Sequence, residues 1–163
     1  HSFPTRRSSD YINFWGAVIL TKAVIPSMLS NQSGQIVIIS SLVGKFGTKY
    51  RSAYSASKHA LHGYFDSLRS EIDSGIKISI ICPGFIKTNV TINALTADGT
   101  RQNTMDDAQA NGMSADECAA QIIKAIKSRK EEVYIGGKEK YAVLIKRFLP
   151  GIFSKLVRKA KVT

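Results

Sequence analysis

Gln35-Ile36-Val37-Ile38-Ile39-Ser40 is a short β-branched run without polar alternation, the pattern of a parallel strand covered on both faces. Helical spacing follows over Ala53 to Ile72, and a second apolar run, Ile76 to Cys82, stops at Pro83-Gly84. Strand, long helix and strand within about 45 residues make a βαβ unit, whose crossover is right-handed. Upstream, Ile12, Trp15, Val18, Ile19, Leu20, Val24 and Ile25 recur at helical intervals until Asn31-Gln32-Ser33-Gly34 breaks the pattern. Downstream, residues 85–112 are polar, with Gly99 and Gly112, and predict a long functional loop. Ser114 followed by Glu117 is a capping-box signature for a helix reaching about residue 127. Glu132 to Ile135 is a third short strand, and two tail helices follow, separated by Pro150-Gly151. The expected class is α/β with three parallel strands.

A chain of 163 residues that is 44% hydrophobic forms one domain with a substantial core and is not disordered. No continuous apolar run reaches the roughly 18 residues that span a bilayer. Cys82 and Cys118 cannot build a disulfide framework, which suggests a reducing, cytoplasmic setting. The net charge of +11 is unevenly placed: residues 124–163 hold 12 of the 23 basic side chains and 3 of the 12 acidic ones. The cations punctuate a helical pattern instead of lining a face, and no aromatic platform accompanies them, so nucleic acid is not the expected partner. Residues 1–10, HSFPTRRSSD, are polar and aperiodic and read as an unrelated or disordered leader. The expected organisation is that leader, a catalytic part over 11–140 and a basic amphipathic tail over 141–163.

Tyr54-Ser55-Ala56-Ser57-Lys58 puts a phenol and an ammonium four residues apart on one helical face. Tyrosine ordinarily ionises near pH 10, and a neighbouring cation favours the phenolate, making a coherent acid–base pair. Tyr134 and Lys138 repeat the spacing and serve as an internal control. The first pair is distinguished by Ser41, thirteen residues upstream at the carboxyl end of a buried strand, where ligands of open parallel sheets bind. The second has Gln121 at that offset and reads as structural. His59 and His62 lack a carboxylate partner at metal-ligand spacing, and Cys82 reads as a small core residue.

Four segments in order, Ile12-Asn13-Phe14-Trp15-Gly16, the run Ile36 to Gly44, Tyr54 to Lys58 and Pro83-Gly84-Phe85-Ile86-Lys87-Thr88, resemble the C-terminal part of a short-chain dehydrogenase/reductase. Asn93-Ala94-Leu95-Thr96-Ala97-Asp98-Gly99 further resembles the subgroup containing dehydrogenase/reductase member seven B. The resemblance implies a Rossmann-type doubly wound parallel sheet whose N-terminal dinucleotide-binding βαβ half is missing. It also implies NADP(H), alternatively NAD(H), as cofactor. Tyr54 would be the general acid–base. Lys58 would lower the Tyr54 pKa and bond the nicotinamide ribose. Ser41 would bond the substrate oxygen, and Asn13 would hold a water of a proton relay. Pro83 and Gly84 would shape the turn beside the nicotinamide, with Ile86 and Thr88 contacting its carboxamide or the phosphates.

The substrate implied is a small apolar ketone or secondary alcohol, lipid-like or steroid-like in the subgroup, under a lid over 85–112 bearing Phe85, Val90, Ile92 and Leu95. The resemblance also implies a homodimer or homotetramer through the helices at about 12–29 and 53–72. The sequence has neither a glycine-rich turn after a first strand nor an Asn-Asn-Ala-Gly segment before the Asn13 helix. The expectation is a truncated chain, inactive alone, with a non-catalytic dimerisation or interaction module as the alternative. The basic, apolar pattern of 141–163 also suits peripheral contact with anionic lipid, against a tail that packs over the substrate mouth.

Overall fold

A computed structural model describes residues 9–72, 75–89, 100 and 107–160. The chain opens as a π-helical stretch, Ser9–Trp15, that runs on into helix α1, Gly16–Ser30. Strand β1, Gly34–Ile39, follows, then a 3₁₀ turn, Leu42–Gly44, and the long helix α2, Ser52–Glu71. Strand β2 is Ile76–Pro83, and a two-residue strand β3, Ile86–Lys87, leaves it. The short helix α3, Asp107–Ala110, precedes strand β4, Met113–Ser114, and helix α4, Ala115–Lys127. Strand β5, Glu132–Ile135, a 3₁₀ turn at Lys138–Tyr141, and helices α5, Ala142–Phe148, and α6, Pro150–Lys159, complete the order.

The main sheet has the order β1-β2-β5 and is parallel throughout, with Ile38 beside Ile80 and Ile80 beside Glu132. Alternation splits its side chains between two layers. Ile36, Ile38, Ile78, Ile80 and Cys82 pack with Leu61 and Phe65 of α2, a layer that α5 and α6 extend through Val143 and Phe153. Ile81 and Ile135 face the other way, onto Cys118 and Ala125 of α4. Both faces of the centre are covered, which is why the strands read as unbroken apolar runs. Among the described residues β1 has no neighbour on its outer side.

Two expectations need correcting. Of the leader expected over 1–10, residues 1–8 lie outside the described residues, and Ser9 and Asp10 begin the π-helical stretch. The span Asp10–Ser30 is long and apolar enough to cross a membrane by length and composition, with a mean hydropathy of 1.4. The uninterrupted-run criterion missed it because Asn13, Thr21 and Lys22 break the run without lowering its average. Such a test is also passed by helices of water-soluble domains, and this one seats Val18 and Thr21 in the interior. The stretch 85–112 is more than a loop: β3 pairs in parallel with β4, Ile86 beside Met113, and Met113 N–H donates to Phe85 O at 3.0 Å. A two-residue strand is too short to show alternation, so sequence spacing could not announce it.

Candidate active site at the carboxyl end of β1

The end of β1 is fixed by Ser40, whose N–H donates to Ile81 O at 2.7 Å. Ser41 follows in extended conformation and caps the 3₁₀ turn, its Oγ accepting from Val43 N–H at 3.4 Å. The same hydroxyl donates to Pro83 O at 3.3 Å and lies close enough to the Tyr54 phenol to favour its ionised form. Tyr54 lies in the first turn of α2, half-buried. Lys58, one turn later, is buried and donates from Nζ to Ile39 O at 2.9 Å, with its ammonium 5.7 Å from the Tyr54 ring centre. The residue preceding Ser40 therefore anchors the lysine, and the residue following Ser40 meets the tyrosine.

Asn13 lies inside the π-helical stretch, a distortion often found at functional positions. Its Nδ2 donates to Ser57 Oγ at 3.4 Å, and Ser57 Oγ donates to Tyr54 O at 2.9 Å. Ser57 thus joins Asn13 to the helix that carries Tyr54, a link that no motif flagged. Ser41, Tyr54 and Lys58 come together directly, and Asn13 joins them at one remove.

Burial pushes the Tyr54 phenol above its ordinary value, while the Ser41 hydroxyl and the Arg51 guanidinium pull it down by less. Burial likewise depresses Lys58. Four-residue spacing gives the shared face, with the Lys58 ammonium 5.7 Å from the Tyr54 ring centre, and burial is the largest influence on both groups.

Pro83 ends β2 beside Ile135 of β5, and Gly84 N–H donates to Ile135 O at 2.7 Å. A Cβ on Gly84 would lie 2.5 Å from Glu139 Oε1 and 3.0 Å from Leu42 Cδ1, so a side chain here would force Glu139 to shift. Glu139, unremarked in the sequence, accepts from Phe85 N–H at 3.4 Å and from Gly137 N–H at 3.0 Å. Ile86 is half-buried against Ile81, Cys118, Ala125 and Ile135, which commits its side chain to packing. Thr88 follows β3, half-buried and engaged in contacts of its own. Val90, Ile92 and Leu95 lie outside the described residues, as does the segment 93–99.

The control pair behaves as structural. The Tyr134 phenol bonds Glu132 Oε1, and burial together with that carboxylate holds its pKa well above the ordinary value. Among the described residues no group of three metal-ligating side chains exists. His62 does have a carboxylate partner, Glu132, which sequence spacing could not reveal across 70 residues. Two surface hollows, one lined by Ala120, Ile123 and Lys124 and the other by Lys130, Tyr134 and Tyr141, touch neither Ser41, Tyr54 nor Lys58.

The family profile of the short chain dehydrogenases matches residues 7–99, more than half of the chain. The chain is 44% identical over 148 residues to dehydrogenase/reductase SDR family member 7B of Mus musculus, covering 90% of this chain and 46% of that protein. It is 41% identical over 150 residues to an SDR family protein 7-like of Anopheles gambiae, covering 91% of this chain and 47% of that protein. It therefore spans about half the length of the curated relatives it matches. A Burkholderia cenocepacia short chain dehydrogenase solved with NADP superposes with a TM-score of 0.80 at 18% identity, covering 98% of this chain and 62% of that one. A Streptomyces avermitilis short-chain dehydrogenase superposes with a TM-score of 0.68 at 24% identity, covering 96% and 61%. Both share the α/β fold with its parallel sheet. On the profile match and on these relatives, the chain belongs to the short-chain dehydrogenase/reductase family and is similar to its member 7B group.

Proposed function

We propose that residues 11–140 are the catalytic part of an NAD(P)-dependent oxidoreductase that reduces a ketone or oxidises a secondary alcohol. One observation carries this reading: the Ser41 hydroxyl meets the Tyr54 phenol at the carboxyl end of β1, with the Lys58 ammonium over the same ring. A nicotinamide dinucleotide, when bound, supplies or accepts the hydride. In the reducing direction Tyr54 gives its proton to the carbonyl oxygen, and Ser41 hydrogen-bonds that oxygen as charge develops on it. Lys58 spends one of its three N–H donors on Ile39 O, which leaves two for a ribose hydroxyl and the phenol oxygen. Asn13, tied to Ser57, holds the water that passes protons to solvent.

The residues present fit the nicotinamide end of the cofactor, since the Pro83-Gly84 turn lies at the carboxyl end of β2 with Pro83 O 3.3 Å from Ser41 Oγ. Pro83 and Gly84 shape that turn, and Ile86 and Thr88 would offer backbone groups to the carboxamide. NADP(H), which the Burkholderia structure holds, is the cofactor inferred, with NAD(H) the alternative. No glycine-rich turn for the pyrophosphate occurs in the sequence, so the 163-residue chain alone is expected to be inactive. Grafting 11–160 in place of the matching half of the mouse relative should give dinucleotide-dependent ketone reduction that Tyr54→Phe abolishes. A folded graft whose activity survives Tyr54→Phe unchanged would refute the role of Tyr54. Ketone reduction by the chain alone would refute its expected inactivity.

The outward face of the first helix favours self-association and equally serves the alternative of a non-catalytic interaction module. Ile19 and Leu20 are 61% and 69% exposed, with Tyr11, Ile12 and Trp15 beside them. A monomer at tens of micromolar would count against both. The tail is two-faced: Val143 and Phe153 point into the core, while Leu144, Phe148 (70% exposed), Leu149, Ile152 and Leu156 face outward among Lys146, Arg147, Lys155 and Arg158. This pattern supports peripheral contact with anionic lipid, each cation adding about 1 kcal/mol near the surface. Sedimentation with phosphatidylserine vesicles, weakened by salt and by Phe148→Ser, is the expected result; binding indifferent to both would refute it. Cys82 and Cys118 are both free thiols, which suits a cytoplasmic location.

A further inference from the structure

Directly beneath Ser41 lies a polar cluster that the proton chemistry of Tyr54 does not use. Ser40 and His62 are 3% and 6% exposed, and Ser40 Oγ lies 3.1 Å from His62 Nε2. His62 Nδ1 lies 3.3 Å from Glu132 Oε2, an ion-pair contact whose angle falls short of a formed hydrogen bond. Lys45 Nζ reaches the same oxygen at 2.6 Å, and the Tyr134 phenol bonds the other one.

These residues come from four places that frame the candidate site. Ser40 separates Ile39, which anchors Lys58, from Ser41. His62 is one turn beyond Lys58 on α2. Lys45 closes the turn that Ser41 caps, and Glu132 opens β5. Gly44 folds over the middle of the cluster: a Cβ there would lie 2.6 Å from Ser40 Oγ and 2.9 Å from His62 Nε2.

Serine, histidine and carboxylate in series is also the order of a hydrolase triad. The packing excludes that use, because Ser40 is sealed under Gly44 with no room for an acyl group. A buried polar chain that does no chemistry holds its elements in one arrangement. Glu132 is ionised, with His62, Lys45 and Tyr134 around its oxygens. The carboxylate beside Nδ1 favours the tautomer that carries its proton there, with Nε2 turned to Ser40 as an acceptor. Ser40 has one proton and two acceptors in reach, Nε2 at 3.1 Å and Lys58 O at 3.4 Å. Donation to Nε2 ties the end of β1 to α2.

We propose that Ser40, His62 and Glu132 form a buried positioning clamp that sets where Ser41 presents its hydroxyl to Tyr54. Its value to catalysis rests on the reading of Ser41 and Tyr54 given above, whereas the clamp itself is a matter of geometry. All three are positioning residues, since none reaches a substrate.

The test uses the whole chain and needs no enzymatic activity. The ¹³Cζ resonance of Tyr54, assigned with Tyr54→Phe, reports hydrogen bonding at the phenol. Ser41→Ala should displace it at neutral pH. Ser40→Ala and Glu132→Gln should each reproduce most of that displacement, and Ser40→Ala combined with Ser41→Ala should add nothing further, because coupled sites are not additive. Thermal melts of the same samples separate this from loss of fold. In the unmodified chain the ¹⁵N imidazole spectrum of His62 should show the Nδ1–H tautomer, so the idea stays testable if a variant does not fold. An Nε2–H tautomer overturns the clamp. So does a Tyr54 resonance that Ser41→Ala moves and Ser40→Ala leaves in place. If Ser41→Ala itself moves nothing, the reading of the site falls and the target of the clamp with it.

Discussion

Lowering the pH through the acid range should remove a stabilising contribution that belongs to Glu132. Burial alone would raise its carboxyl, but His62, Lys45 and Tyr134 around its oxygens outweigh it and hold the group at about 2, from an ordinary 4.5. A carboxyl depressed in the folded state stabilises above its unfolded value and loses that contribution as pH falls towards the folded one. The window is therefore between roughly pH 4.5 and pH 2. At full weight the 2.5-unit difference is worth about 3.4 kcal/mol, of which roughly 2 is lost by pH 3. A quarter of the side chain is open to water, and solvent screening reduces the loss to about 1 kcal/mol. Urea unfolding at pH 6 and pH 3 measures it. The unmodified chain should lose about 1 kcal/mol more than Glu132→Gln between those pH values. Equal losses in the two proteins would show that the three donors do not hold the carboxylate in the fold, and the reasoning would fail.

Three further outcomes follow from the packing. Phe65 is 0% exposed between α2 and the sheet, so Phe65→Ala should cost about 3–5 kcal/mol in urea unfolding. Gly84→Ala should destabilise by about 1–3 kcal/mol, because its Cβ meets Glu139 and Leu42; adding Glu139→Ala should recover part of it, and no recovery would remove Glu139 as the obstacle. Ser114 Oγ accepts from Glu117 N–H at 3.1 Å, so Ser114→Ala should cost about 1 kcal/mol in the same assay.

Much of this fold was legible because its strands are covered on both faces. The runs at Ile36–Ile39 and Ile76–Cys82 are apolar without alternation, and they pair in parallel around the central β2. The cap at Ser114 was legible because a hydroxyl three residues before an N–H is a local relation, although the Glu117 side chain turns to Gln121 instead of closing the box. Ser41 stands thirteen residues before Tyr54 and its hydroxyl lies near the phenol, while the neighbouring Ser40 turns inward to His62. What spacing could not supply were contacts across long stretches of chain. Glu132 joins His62 and Lys45, Glu139 seats against Gly84, and Asn13 reaches Ser57. Each depends on where the sheet brings two distant elements, and periodicity carries no information about that.

The two tyrosine–lysine pairs show the same limit and lead to a prediction about direction. Both have four-residue spacing, yet Tyr134 is captured by a carboxylate and Tyr54 by a serine. Burial raises Tyr54 above its ordinary value, so near neutrality the phenol keeps its proton. A protonated phenol is ready to donate to a forming alkoxide, whereas alcohol oxidation needs the phenolate. Within the proposed function, a chain restored by grafting should reduce ketones at a rate that stays flat with rising pH until Tyr54 begins to ionise. Alcohol oxidation should climb through the same interval, because each step up in pH enlarges the phenolate fraction. Ser41→Ala removes a group that favours the phenolate, so it should move the oxidation profile to higher pH as well as slowing it. An oxidation rate already level at pH 7 would mean that Tyr54 ionises well below its ordinary value in the working enzyme. The added positive influence would then have to come from the bound dinucleotide, from residues beyond this chain, or from Lys58 drawn closer to the phenol oxygen than its present 5.7 Å from the ring centre.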